Sequence, residues 1–171
     1  MFIAIKDLLP RVPKREAPAR ILGLDPTSRG CAYAALEGES NLIDWGVASA
    51  KLPVDACILS RIEHVIDRCA PDLIAVEDGR GTRRGRRAKE IIKGIERIAK
   101  KRTLRIVRVT RRSVRETFSP ATTKQQIAEA LARLFPELAP RLPRPRKCFD
   151  AEDNRMNIFD AASFAVTAQS T

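Results

Sequence analysis

Ile21-Leu22-Gly23-Leu24-Asp25 is an apolar run that ends on a carboxylate. A short continuous run of this kind reads as a strand buried on both faces. A lone carboxylate beside such a strand is costly to bury unless something pairs with it, and a metal ion is one such partner. The pattern returns twice. Leu73-Ile74-Ala75-Val76-Glu77 is a second apolar run closing on an acid, and Ile158-Phe159-Asp160-Ala161-Ala162 sets an acid inside a mostly apolar helix. Three acids embedded in core-like sequence, far apart along the chain, are expected to converge on one spot.

The segments between them supply the scaffold. Pro26-Thr27-Ser28-Arg29-Gly30 is a turn by composition. Strands follow over 31–37 and 42–48, so the chain opens with an antiparallel meander. Ile58, Leu59, Ile62, Val65, Ile66 and Cys69 recur at helical spacing and predict a helix over 54–69. A fourth strand over 72–77 leads into a loop, 79–87, carrying Arg80, Arg83, Arg84, Arg86 and Arg87. The next helix, over 86–102, has an apolar face of Ala88, Ile91, Ile92, Ile95 and Ala99 and a basic face of Lys89, Lys93, Arg97 and Lys100. A fifth strand spans 104–109. Thr122 or Thr123 caps a helix that runs to 135 with Ile127, Leu131 and Leu134 inward. A proline-rich connection, 136–145, precedes a last helix over 151–168.

A meander followed by βαβ-type units predicts an α/β fold: one mixed five-stranded sheet with helices on both faces. Strand one is central and strand four lies parallel beside it. Asp25 and Glu77 then end neighbouring strands, and a helix crossing the sheet brings Asp160 to both. This single domain occupies residues 20–171. Residues 1–19 form an extension in which Pro10, Pro13 and Pro18 break any long helix. It reads either as a mobile basic arm or as an arm that lies on DNA or on a partner subunit.

The 171 residues carry a net charge of +11, and the pI is near 10.2. Such a balance favours a polyanionic partner, nucleic acid first and an anionic membrane surface second. Aromatic residues make up only 5%, so contact with backbone phosphates is expected rather than stacking on aromatic platforms. Cys31, Cys57, Cys69 and Cys148 have no zinc spacing and demand no disulfide framework. No stretch is long enough to span a bilayer, and the N-terminal apolar run is too short for a signal peptide. The expectation is a cytoplasmic protein without membrane contact, in a bacterial, phage or mobile-element setting. His64 falls off the apolar stripe of its helix and reads as a surface residue. Trp45 and Tyr33 read as core or edge fillers.

Taken together, Ile21-Leu22-Gly23-Leu24-Asp25-Pro26 with Gly30, then Ile74-Ala75-Val76-Glu77, then Phe159-Asp160-Ala161-Ala162, resemble the ribonuclease H-like fold. Within it the chain is most similar to the RuvC-type Holliday-junction resolvases. Val109-Thr110-Arg111-Arg112-Ser113-Val114-Arg115 followed by Thr123-Lys124-Gln125-Gln126-Ile127 also resembles that family, where the segment after strand five leads to a lysine opening a helix. The resemblance spans roughly residues 20–168. It implies the sheet order 3-2-1-4-5 and a magnesium-dependent endodeoxyribonuclease. Such an enzyme acts as a homodimer and cuts four-way DNA junctions by paired nicks. One position departs from the pattern. The family usually carries Asp or His three residues before the last acid, and here that residue is Asn157. Asp153 stands one turn further back on the expected helix, so Asp153, Asn157 and Asp160 would share a face. Either Asp153 or Asn157 completes the site, with Glu152 a weaker substitute.

The implied chemistry is phosphodiester hydrolysis with two Mg2+ ions, for which Mn2+ can substitute. Asp25 would bridge both ions, Glu77 would hold the one on the side of the attacking water, and Asp160 the other. Lys124 would steady the scissile phosphate. Arg80, Arg83, Arg84, Arg86 and Arg87, with Arg111, Arg112 and Arg115, would meet the DNA backbone. Each residue also has a plainer reading. Asp25 could form a turn before Pro26, Glu77 could pair with an arginine of 80–87, and Asp160 with Arg155. Lys124 could face solvent, and the arginine run could be a solvated face. Two further functions share the fold or the charge: a nuclease that processes ribosomal RNA, and a catalytically inactive nucleic-acid-binding module.

Overall fold

The computed structural model describes residues 19–49, 55–79, 85–145 and 153–170. The basic extension up to residue 18, Arg80, Arg83 and Arg84 of the arginine-rich loop, Cys148 and Glu152 lie outside the described residues.

The apolar run that opens the domain forms β1, Arg20–Pro26, and it is the centre of one five-stranded sheet. β2, Gly30–Glu37, and β3, Asn41–Ser49, fold back beside it in an antiparallel meander. β4, Leu73–Glu77, lies parallel on the other side of β1, and β5, Arg105–Val109, parallel beyond it. The order is β3-β2-β1-β4-β5, as expected. Helices α1, Asp55–Cys69, and α2, Arg86–Lys101, supply the crossovers. A short α3, Arg111–Thr117, then α4, Lys124–Leu134, and α5, Met156–Gln169, complete the chain.

Alternation along the strands divides the core in two. Leu22 and Leu24 of β1, with Ile74 and Val76 of β4, pack against Ile58 and Ile62 of α1 and Ile91 and Ile95 of α2. Ile21, Leu73, Ala75 and Val109 pack on the opposite face against α4 and α5. The predicted apolar face of α2 is buried, and Lys89, Lys93, Arg97 and Lys100 are exposed. On the other face α5 approaches β1 so closely that no side chain fits between them. A Cβ on Gly23 would stand 2.0 Å from the carbonyl oxygen of Ala161 and 3.1 Å from the Ala165 methyl. Nearly all of α5 is accordingly buried, and its residues there are small or aromatic: Ala161, Ala162, Ala165, Phe159 and Phe164.

Three expectations need correction. The segment after β5 forms a helix, α3, where none was predicted. Leu134 faces outward and is 42% exposed; Phe135 takes the inward position. Ile127, Leu131 and Phe135 follow one another at four-residue spacing, and the larger aromatic gains more from burial than Leu134. The last helix begins at Met156, not near 151, so Asp153 precedes it and the shared-face argument for Asp153 does not hold. The proline-rich connection also contains a 3-10 helix, Pro136–Arg141, which buries Leu138.

His64 is exposed as expected, and Tyr33 on the interior strand β2 and Trp45 on the edge strand β3 are both half-buried. Cys31 and Cys69 fill the core, whereas Cys57 is exposed. Burial and the neighbouring Asp44 push the Cys69 thiol up to about 11. Among the described residues, no helix is long and apolar enough to cross a membrane.

Candidate active site

Register places the first two acids. Leu24 of β1 pairs with Val76 of β4, so Asp25 and Glu77 are the next residues on two adjacent parallel strands. Strand alternation puts both on the α5 side, two residues beyond Gly23 and Ala75 respectively. The close approach at Gly23 sets α5 across these strand ends, and Asp160 immediately precedes the Ala161 that makes it. All three carboxylates are buried: Asp25 is 2% exposed, Glu77 4% and Asp160 5%. Carboxylates that deep are retained only with compensating partners.

Arg111 is one such partner. Val109 of β5 faces Glu77 in the parallel register, and the chain turns into α3 two residues later. Thr110 caps that helix by accepting from the Ser113 amide at 3.0 Å. The Arg111 guanidinium therefore starts level with the acids. Its Nε donates to Glu77 Oε1 at 2.5 Å. Its Nη1 and Nη2 donate to the two oxygens of Asp160 at 2.7 and 3.3 Å. The guanidinium carbon also lies 5.2 Å from the centre of the Phe164 ring, one helical turn beyond Asp160. Burial alone would pull the guanidinium down. The hydrogen bonds and charge of Asp160 and Glu77 more than offset it, holding Arg111 above the ordinary arginine value.

Lys124 is the first residue of α4, and its Nζ donates to Asp160 Oδ2 at 3.0 Å. Thr123 anchors that helix start with a full capping box: its hydroxyl accepts from the Gln126 amide, and the Gln126 side chain accepts from the Thr123 amide, both at 3.2 Å. Thr123→Ala is expected to cost about 1 kcal/mol in urea denaturation. The same change lets the Lys124 ammonium wander from Asp160. Between α3, α4 and α5 lies a pocket of about 290 Å³, lined by Arg111, Arg115, Thr122, Lys124 and Asp160 among others.

The remaining predicted residues divide. Arg115 is exposed at that pocket. Arg86 is exposed at the start of α2. Arg87 donates to the Ser28 carbonyl at 2.9 Å, which ties α2 to the β1–β2 turn. Arg112 is exposed and pairs with Glu116 at 2.8 Å. Asn157 is half-buried on α5, three residues before Asp160 and so on the same helix face. Asp153 instead pairs with Arg155, the closest contact being 2.6 Å from Nη2 to Oδ2. The Arg155 hydrogen bonds hold the Asp153 carboxyl below the usual carboxylate range. Arg155 thus serves Asp153, and the partners seen for Asp160 are Arg111 and Lys124.

By donor chemistry the three buried carboxylates fit a hard divalent cation, with the Asn157 carboxamide as a neutral neighbour. In the arrangement seen, the Arg111 guanidinium spans Glu77 and Asp160, and the Lys124 ammonium meets Asp160 as well. Among the described residues, no three acids, histidines or cysteines are gathered so that they could hold one ion. The sequence placed Arg111 among the phosphate contacts and missed this role. Its one signal was position, two residues past a strand that runs beside the strand carrying Glu77.

The sequence matches no protein-family model, and it matches no curated protein. Solved structures do match. The Thermus thermophilus RuvC in complex with Holliday junction substrate is 15% identical, with a TM-score of 0.66 over 87% of this chain and 91% of that one. A second Thermus thermophilus RuvC structure is 17% identical, with a TM-score of 0.62 over 86% and 92%. The Fowlpox virus resolvase in complex with Holliday junction DNA is 15% identical, with a TM-score of 0.51 over 88% and 98%. The chain shares the fold of these structures, the ribonuclease H-like fold expected from its sequence.

Proposed function

We propose that this protein is a metal-dependent endonuclease that resolves four-way DNA junctions. The observation that carries the reading is the burial of three carboxylates, Asp25 and Glu77 on adjacent parallel strand ends and Asp160 on the helix packed across that sheet, with Arg111 spanning Glu77 and Asp160. Exposed cations at the adjoining pocket and the net charge of +11 support a phosphate-rich substrate. The fold shared with a RuvC bound to a Holliday junction supports branched DNA as that substrate.

Asp25, Glu77 and Asp160 are the residues that would hold two Mg2+ or Mn2+ ions, with Asn157 offering a neutral oxygen. When bound, such ions activate a water and neutralise charge on the leaving oxygen. Lys124 stands at the pocket beside Asp160 and meets a phosphate that enters it. Arg115 adds a second cation at the same mouth, and Arg86 and Arg112 extend the basic surface. Cutting two strands symmetrically requires two such sites, so the active form is a homodimer.

One observation favours a second reading. Arg111 holds Glu77 and Asp160 as a structural counter-ion would, which suits a nucleic-acid-binding module without catalysis. Incubation of a labelled four-way junction with Mg2+ or Mn2+ separates the two. Symmetrical nicks are expected. Tight binding without nicks at any metal concentration would leave the binding module standing. Competition with structured RNA distinguishes a junction nuclease from one that processes ribosomal RNA, and the junction is expected to win.

A further inference from the structure

We propose that Arg111 is an internal competitor for the divalent ions: its guanidinium holds Glu77 and Asp160 while metal is absent and swings into the neighbouring pocket when metal binds. The inference rests on the metal-dependent reading above and adds a moving part to it.

The geometry makes the two occupants exclusive. Arg111 engages one oxygen of Glu77 and both oxygens of Asp160. A cation that takes oxygen ligands from both acids competes for the same two carboxylates and the space between them. It would also stand within contact distance of a fixed positive charge in a poorly hydrated site, where repulsion is weakly screened. One of the two must leave.

The surroundings let the guanidinium be the one that moves. Its side chain retains 28% exposure, against 5% and 7% for the carboxylates it holds. It already lines the open pocket that Arg115, Thr122 and Lys124 share. Arg111 is the first residue of a seven-residue helix, so its side chain can change rotamer without unpacking a long element. Displaced, it joins Arg115 and Lys124 around a cavity of about 290 Å³, three cations facing one space. A phosphodiester is the ligand class that such a cluster recognises. Metal binding thereby releases the guanidinium towards the substrate, and a phosphate in the pocket draws it from the acids. Metal and substrate then favour each other's binding, a coupling that is reciprocal.

If the guanidinium occupies the acids nine-tenths of the time or more, the apparent metal affinity is reduced roughly tenfold or more below its intrinsic value. Mn2+ titration of the full chain, followed by the electron paramagnetic resonance signal of free Mn2+, reads that factor directly. Arg111→Met keeps a long stem for the Phe164 ring and removes the charge. It is expected to tighten Mn2+ binding about tenfold. Its melting temperature in chelator should fall, and added Mn2+ should raise it further than in the wild type. Arg111→Lys keeps a charge that makes a single point contact, and it guards against a Met variant that does not fold. It is expected to tighten Mn2+ binding by a smaller factor. An unchanged or weaker Mn2+ affinity in the folded variants, with wild-type protein still binding Mn2+ and nicking junctions, overturns the inference and leaves the nuclease reading intact. Absence of Mn2+ binding at millimolar concentration in wild type and variants alike overturns both.

Discussion

Asp25→Asn is expected to reduce junction nicking by about 10³-fold or more, the scale seen when one charge-stabilising group is removed from a catalytic site. The change is nearly isosteric and falls on a residue that is 2% exposed, so shape is kept while charge is lost. Asp25 is buried and so offers a DNA backbone almost no surface to touch. Junction binding by gel shift is therefore expected to stay within about twofold of wild type, because the exposed cations carry most of that affinity. The measurement pairs single-turnover nicking with binding on the same preparation. Nicking that survives within tenfold would remove Asp25 from the chemistry and with it the three-carboxylate site proposed for the metal ions.

The second large effect falls on a residue with no side chain. Gly23→Ala places a methyl carbon 2.0 Å from the Ala161 carbonyl oxygen, well inside contact distance. The obstacle is backbone, so no rotamer change relieves it. Either α5 withdraws from β1 or the strand bends, and both open the core. The expected cost is about 3 kcal/mol, the upper part of the range for overpacked cores. For a chain of this size that corresponds to a drop of about 6–12 °C in melting temperature. A calorimetric scan checks it. Retreat of α5 also carries Asp160 away from Asp25 and Glu77, so nicking should fall further than the remaining folded fraction explains. A variant as stable as wild type would show that α5 can shift at little cost, and that Gly23 does not set the position of the third acid.

Burial patterns in the sequence carried most of the scaffold, for a physical reason. β1 and β4 are covered on both faces, so they read as continuous apolar runs, and α1 and α2 each bury one periodic stripe. Where burial is slight, the signal fails. α3 has one buried residue, Val114, and its existence depends on the Thr110 cap rather than on periodicity. The start of α5 was misplaced because 151–155 contains no proline or glycine to mark a boundary. That error put Asp153 on a helix face it does not share. The positions of Asp25 and Glu77 followed from topology, since adjacent parallel strands bring their ends together. The pairing of Arg111 could not be read in this way. It depends on where β5 ends relative to β4 and on which way the chain turns afterwards, and neither leaves a mark in composition.

The placement of α5 also orders events during synthesis. Asp25 and Glu77 leave the ribosome early, on strands that can begin to pair while the rest is still being translated. Asp160 emerges much later, on the helix that closes the sheet. A nascent chain therefore cannot bring Asp160 across the two strand ends until translation has passed that helix.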